Sequence, residues 1–191
     1  LDFLSTLPVR QINSGFAEMI KHSLIDSKEH WNRIRNVNFS KDIDSSLIYN
    51  SIMTKIKIIE NDPKESSTRK FLNFGHTIGH AIESFLLNSE REILHGEAIL
   101  IGIILESYLS QKLLNFDTQL TSNVKNYIQK FSEQINFSIE DITHIIELLK
   151  YDKKNKNEEP LFVLLNEIGK PSYDIKVSNE EIIEAFKFYA M

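Results

Sequence analysis

Arg69-Lys-Phe-Leu-Asn73-Phe-Gly-His76-Thr-Ile-Gly-His80 is the stretch from which the fold is read. Apolar side chains return every three to four positions from Phe71 through Phe74, Ile78, Ala81 and Ile82 to Phe85, the period of an amphipathic helix with one buried face. The spacing predicts a helix over residues 67–87. At about 100° per residue, Arg69, Asn73, His76 and His80 share an arc of roughly 60° on the opposite face. A merely solvated face is built from Lys and Glu. A stripe of one cation, one amide and two imidazoles points instead to a functional surface.

Outward from this stripe, the same periodicity predicts helices over residues 14–27, 43–60, 95–114, 120–132, 139–149 and 179–189, with Ser138 and Ser178 as N-caps of the last two. Six Gly and four Pro leave few breaks, so helix dominates. One stretch departs from the pattern. Residues 161–165 and 172–177 are short apolar or alternating runs around Ile168-Gly-Lys-Pro171, which reads as a β-hairpin near the C-terminus. The polar run at 150–160, rich in Lys, Asn and Glu, reads as a mobile loop. The fold class expected is therefore mainly α with one short hairpin, a single domain over residues 1–191.

Composition narrows the function. The chain has no Cys, which removes disulfide scaffolds and thiolate metal sites. A net charge of −5 gives no basic footprint for nucleic acid. The longest uncharged apolar run, 98–105, is far short of the ~20 residues a bilayer requires. No signal peptide is legible, so a reducing cytoplasm is the default expectation. The first residue is Leu1, and the chain reads as a piece of something longer.

His76 and His80, at i and i+4, have the spacing that lets two imidazoles share one metal ion. His95 opens the next helix and would return beside the stripe if the two helices run antiparallel. In Ser14-Gly-Phe-Ala-Glu18-Met-Ile-Lys21-His22, Glu18, Lys21 and His22 share one helical face. Glu18 reads equally well as an oxygen ligand or as a first-turn acid complementing the helix dipole. Two His and one Glu would leave a catalytic ion an open position. Lys55, Lys153 and Lys154 are ambiguous alone, although cations converging on a metal suit a phosphorylated or carboxylated substrate.

Taken together, Leu7-Pro8, Ser14-Gly-Phe-Ala-Glu18-Met-Ile-Lys21-His22, Leu72-Asn73-Phe-Gly-His76-Thr-Ile-Gly-His80-Ala-Ile-Glu83, Leu94-His95-Gly-Glu-Ala98, Asp152-Lys-Lys-Asn155 and Val163-Leu-Leu through Ile168-Gly-Lys170 resemble the C-terminal half of the 3-dehydroquinate synthases. The resemblance covers nearly the whole chain, in order. It implies a helical metal-binding domain whose zinc or cobalt ligands are Glu18, His76 and His95. His80 then becomes a proton-transfer and substrate group rather than a ligand. It further implies substrate contacts from Lys21, Lys55, Arg69, Asn73 and Lys153, with Glu65 as a general base and Phe3, Leu4, Ser5 and Thr6 beside an NAD site.

The implied reaction belongs to the shikimate pathway. It converts a phosphorylated sugar acid, 3-deoxy-arabino-heptulosonate 7-phosphate, to 3-dehydroquinate and phosphate, with NAD recycled. Most NAD contacts would come from a Rossmann-like domain absent from these residues, and the full enzyme is expected to be a homodimer. One departure is Ser67-Thr68, where the family has Gly-Leu before the stripe arginine. Competing readings are another sugar-phosphate cyclase, an iron-containing alcohol dehydrogenase-like domain, or a non-catalytic helical interaction module.

Overall fold

A computed structural model describes residues 4, 6–37, 44–87, 91–151 and 160–191. Eight α-helices and one hairpin are found among them: α1 (Val9–Asp26), α2 (Lys28–Ile34), α3 (Ser45–Asn61), α4 (His76–Leu86), α5 (His95–Leu114), α6 (Thr118–Ile128), α7 (Ile139–Tyr151), β1 (Leu161–Glu167), β2 (Lys170–Lys176) and α8 (Asn179–Ala190). The expected class, mainly α with a C-terminal hairpin, is what the chain adopts. Ser178 caps α8 in a reciprocal box with Glu181, and Ser138 and Asp141 exchange the equivalent pair of bonds ahead of α7. β1 and β2 pair antiparallel about a turn that uses Gly169 at φ 81°.

Helix α5 is the axis of the fold. Its residues are apolar nearly all round, and it packs against α1, α4, α6, α8 and β1. Such a helix is stable only in a core, which the neighbouring helices and the buried run Phe162–Leu165 of β1 complete. None of the described helices is long and apolar enough to cross a membrane.

Three local expectations are corrected. Helix α1 begins at Val9, ahead of residue 14, because Pro8 introduces a helix rather than preceding one at a distance. The short α2 was not expected. The Ser27 hydroxyl accepts the His30 amide hydrogen and starts a turn that buries Trp31 and Ile34. Most consequential, the helix expected over 67–87 is two elements. Thr68–Asn73 is a 3-10 segment, Phe74 is extended, Gly75 takes φ 79°, and α4 starts afresh at His76.

The break has two acidic side chains behind it. Asp62 accepts the backbone amides of Ser66, Ser67 and Arg69 and the hydroxyls of both serines. Glu106, on α5, accepts the amides of Gly75 (2.6 Å) and Ile78 (3.2 Å). An amide bound to a carboxyl oxygen is not available to a continuous helical ladder, so the chain turns at both sites. Gly102 lies one turn before Glu106 on α5, and a Cβ built on it would stand 1.9 Å from the Gly75 carbonyl oxygen. Only glycine lets α5 pass this close.

A packing prediction follows from this contact. Gly102→Ala should lower the unfolding free energy by about 3 kcal/mol or more, because backbone rather than a flexible side chain must move. Gly15→Ala is the control: it sits inside α1 with nothing within 4 Å of the new methyl. That change should stabilise by roughly 0.5–1 kcal/mol. Urea unfolding of both variants, read by circular dichroism, checks the pair.

Candidate functional site

The break at Gly75 points the first turn of α4 at α1 and at the start of α5. Two tethers fix the α5 end. Arg10 on α1 donates twice to Glu97, at 2.7 Å each, and to the Glu92 carbonyl, while Ser14 accepts the Gly96 amide at 3.0 Å. His95 is thereby held beside α4. The imidazole centroids of His76, His80 and His95 lie 5.1–5.8 Å from one another, and one ligand atom from each falls within 4.8 Å of the others. The expected return of His95 to the stripe is therefore found.

Glu18 reaches the same place from α1. Its Oε1 lies 3.4 Å from His76 Nε2, and Lys21 donates to Oε1 at 3.0 Å and Oε2 at 2.8 Å. Lys21 and His22 are buried, at 2% and 4% exposed, whereas Glu18 on the same face of α1 keeps about a third of its side chain exposed. Burial works against ionisation of Glu18, but the charge and hydrogen bond of Lys21 outweigh it and hold the carboxyl below its usual range. Burial also lowers the Lys21 pKa, against the pull of Glu18.

The imidazoles are set up as ligands. His76 Nδ1 lies 3.2 Å from the Phe74 carbonyl oxygen, and His95 Nδ1 lies 3.0 Å from Glu83 Oε2. Neither oxygen donates, so each Nδ1 carries a proton and Nε2 is the ring nitrogen left to face an ion. Burial, reinforced by the charge of Lys21, presses the His76 pKa down to about 4, so the ring is neutral at pH 7. A neutral Nε2 and an ionised Glu18 oxygen then face each other at 3.4 Å as two acceptors. That arrangement calls for a cation. A tetrahedral ion about 2.0–2.2 Å from each of two donors spaces them by roughly 3.3 Å, so the pair fits a divalent ion such as zinc or cobalt.

A cleft of about 750 Å³ opens from the histidines and is lined by Glu65, Lys70, Asn73, His76, His80 and Asp174 among others. Asn73 donates to Glu65 Oε1 at 3.2 Å, and Glu65 itself sits at φ 56° in the loop that Asp62 ties. Arg69 donates to the Pro63 carbonyl within that same loop. Ser67 gives its hydroxyl to Asp62 and so helps to close the turn.

Lys55 is exposed and lines a second concavity of about 480 Å³, an apolar groove between α1 and α3 that also holds Leu4, Glu18 and His22. Thr6 is exposed. Phe3, Ser5, Lys153 and most of the expected loop at 150–160 lie outside the described residues.

Three acidic side chains that organise this site carried no expectation. Glu106 could have been flagged as the lone acid in the middle of an otherwise apolar helix, Asp62 only by its place before a proline. Glu83, which orients His95, has no sequence signal that separates it from a surface acid.

Three imidazoles and a carboxylate thus converge beside a polar cleft, a donor set that suits a divalent ion. The sequence profile of the family described as 3-dehydroquinate synthase C-terminal matches residues 15–155, and the chain belongs to that family. It is 42% identical over 98% of its length to a 3-dehydroquinate synthase of Parabacteroides distasonis, and 37% identical over 97% to that of Leptospira interrogans. It spans about half the length of these relatives, 54% and 52% respectively.

Solved structures agree on the fold. A 2-deoxy-scyllo-inosose synthase complexed with carbaglucose-6-phosphate, NAD+ and Co2+ matches 96% of this chain and 53% of its own, with TM-score 0.73 and 23% identity. A 2-epi-5-epi-valiolone synthase from Streptomyces hygroscopicus subsp. jinggangensis with NAD+ and Zn2+ bound matches 99% of this chain and 54% of its own, with TM-score 0.78 and 19% identity.

Complete burial raises the Glu106 carboxyl to about 8, against an ordinary 4.5, despite the amides of Gly75, Ile78 and Thr77 that favour its ionised form. The folded pKa is the higher one, so the stability from this group is complete below about pH 4.5 and is lost as pH rises toward 8. The loss should be on the order of 4 kcal/mol. Glu106→Gln should flatten that slope, whatever constant offset its weaker acceptor adds. Chemical unfolding of parent and variant from pH 5 to 8.5 measures the difference. Parallel curves would show that Glu106 does not titrate in this range.

Proposed function

We propose that this chain is the metal- and substrate-holding portion of a 3-dehydroquinate synthase, the enzyme that converts 3-deoxy-arabino-heptulosonate 7-phosphate to 3-dehydroquinate and phosphate. The observation that carries the reading is the facing pair Glu18 Oε1 and His76 Nε2 at 3.4 Å, with His95 oriented alongside by Glu83. Glu18, His76 and His95 would hold one zinc or cobalt ion. When bound, that ion would supply Lewis-acid polarisation of a substrate hydroxyl, and NAD a reversible hydride acceptor.

The chain's own residues account for the rest. Lys21, desolvated and paired with Glu18, places a positive charge against the site where alkoxide character develops. His80, exposed at the mouth of the cleft and 5.1 Å centroid to centroid from His76, stands where it can move a proton at a substrate oxygen. Glu65, fixed by Asn73, is the second proton-transfer group. Asn73, Arg69, Lys55 and Lys153 would bind the phosphate, carboxylate and hydroxyl groups, so that much of the rate comes from holding a flexible sugar acid in one pose. The relatives' name supports this substrate over that of other sugar-phosphate cyclases, since the chain is 42% identical to a 3-dehydroquinate synthase and 19–23% identical to the solved cyclases of other names.

Elemental analysis should find about one divalent ion per chain, with melting temperature raised by Zn2+ or Co2+ and lowered again by chelator. His76→Ala and His95→Ala should each weaken metal affinity by more than about 100-fold, beyond what outer-shell changes cause. His80→Ala should keep the metal. If His80→Ala strips the ion while Glu18→Gln retains it, the ligand set is the three imidazoles instead.

Tight NAD binding and turnover are not expected of these 191 residues alone, because they contain no Gly-x-Gly-x-x-Gly turn to hold a pyrophosphate. Calorimetry with NAD and a phosphate-release assay check this. Micromolar affinity, or steady release of phosphate, would show that the chain needs no further dinucleotide-binding domain.

A further inference from the structure

Among the described residues, few buried side-chain polar atoms lack a hydrogen-bond partner, and one of them lies beside Glu18: Nε2 of His22. His22 is 4% exposed. Its Nδ1 is 2.7 Å from the hydroxyl of Ser51 on α3, and the carboxylate oxygen Oε2 of Glu18 lies 3.8 Å from its Nε2. A buried N–H or ring nitrogen left unmatched costs free energy, so one beside a candidate metal ligand needs a reason.

The ring is neutral at this burial and carries one N–H. Two arrangements are available. If Nδ1–H donated to Ser51, the bare Nε2 lone pair would face the Glu18 carboxylate, acceptor against acceptor. If the Ser51 hydroxyl donates to Nδ1, then Nε2–H faces Glu18 Oε2, and every group is matched in sign. The second arrangement is the favourable one.

The contacts on Glu18 divide accordingly. His76 lies against Oε1, His22 on the side of Oε2, and Lys21 bridges both. A carboxylate can present either oxygen to an ion; an N–H dipole facing Oε2 from 3.8 Å, beyond hydrogen-bond length, would still attract that oxygen and favour Oε1 as the one turned toward His76.

We propose that His22, held by Ser51, is a positioning residue that uses its Nε2–H to orient the Glu18 carboxylate for a divalent ion, an inference that rests on the metal-site reading above. A simple brace between α1 and α3 would need only the Ser51–His22 bond and would be indifferent to what Nε2 carries. The two roles separate by substitution. The amide nitrogen of Gln falls near Nε2 of His, so His22→Gln keeps a donor toward Glu18 but loses the bond to Ser51. The amide of Asn falls near Nδ1, so His22→Asn keeps a partner for Ser51 but removes the donor toward Glu18.

The probe is Co2+ alone, added to the 191-residue chain, with affinity read by competition against a chromophoric chelator and geometry by the visible d–d bands. His22→Asn should bind Co2+ about 10-fold or more weakly with altered bands, as outer-shell losses do, and its metal-free melting temperature should stay near that of the parent. His22→Gln should stay within about 3-fold of the parent, the conservative rescue. Ser51→Ala, a smaller change, should weaken binding in the same direction and serves if His22→Asn fails to fold.

Parent-like Co2+ binding by His22→Asn, or by Ser51→Ala where the Asn variant does not fold, would overturn the inference. So would equal losses in the Asn and Gln variants that track a lowered metal-free melting temperature. If the parent itself takes up no Co2+, the metal-site reading falls, and this inference with it.

Discussion

The Glu106 carboxyl group accepts the amides of Gly75 and Ile78 from inside the core, and the direction of α4 depends on it. A helix begins with amide hydrogens that have no internal partner. Here those amides are buried, so water cannot supply one, and the acceptor comes from the neighbouring helix instead of from a local cap. Gly75 at φ 79° turns the chain, Gly102 admits the backbone, and Glu106 completes the bonds. The interaction is three-dimensional: none of these residues would specify the break without the other two. With α4 started at His76 and aimed across α5, its first turn has His95 on one side and Glu18 on the other.

The site so formed is organised by acceptors as much as by ligands. Phe74 and Glu83 take the Nδ1 protons of His76 and His95, Asp62 closes the turn that carries Glu65 and Arg69, and Glu97 ties the start of α5 to α1. Each of these oxygens takes a hydrogen that would otherwise leave a functional side chain free to rotate. Orientation is thereby fixed before any ligand arrives, the condition under which positioning contributes most to catalysis.

Much of this was legible in the sequence, for physical reasons that differ from element to element. Helices α3, α5, α6, α7 and α8 were visible because an apolar stripe at the helical period must be buried, and Ser178 and Ser138 announced their own helix starts. Helix α2 was not, because Lys28–Ile34 is too short to show a period and depends on Ser27 and the burial of Trp31. The break at Gly75 was hidden because Phe71, Phe74 and Ile78 keep a helical spacing across it, so periodicity alone could not see that two acidic side chains distant in sequence take the amides. The histidines were recognisable as a group. Their i, i+4 spacing pointed to a His76–His80 pair, which the structure clusters with His95, and Glu18, open at that point between oxygen ligand and dipole acid, lies 3.4 Å from His76.

The pair of a buried Lys21 and a half-buried Glu18 shows what the site sacrifices in stability. Taking the Lys21 ammonium out of water is costly, and an apolar side chain of similar volume there would pack α1 at least as well. The pair therefore makes sense through its electrostatic consequences. Lys21 keeps Glu18 ionised and helps to keep His76 neutral, so the two donors that face each other are an anion and a lone pair rather than a neutral acid and an imidazolium. A dication is then attracted by both. Lys21 with Lys55 in the adjoining groove, and Arg69 on the loop tied by Asp62, are cations suited to an anionic ligand. The Lys21 ammonium and the Glu18 carboxylate are thus in direct contact, while Lys55 and Arg69 lie further out. Under the proposed function, a metal ion and an anionic substrate would sit side by side here, and a simple apolar core could not offer both an anionic and a cationic partner.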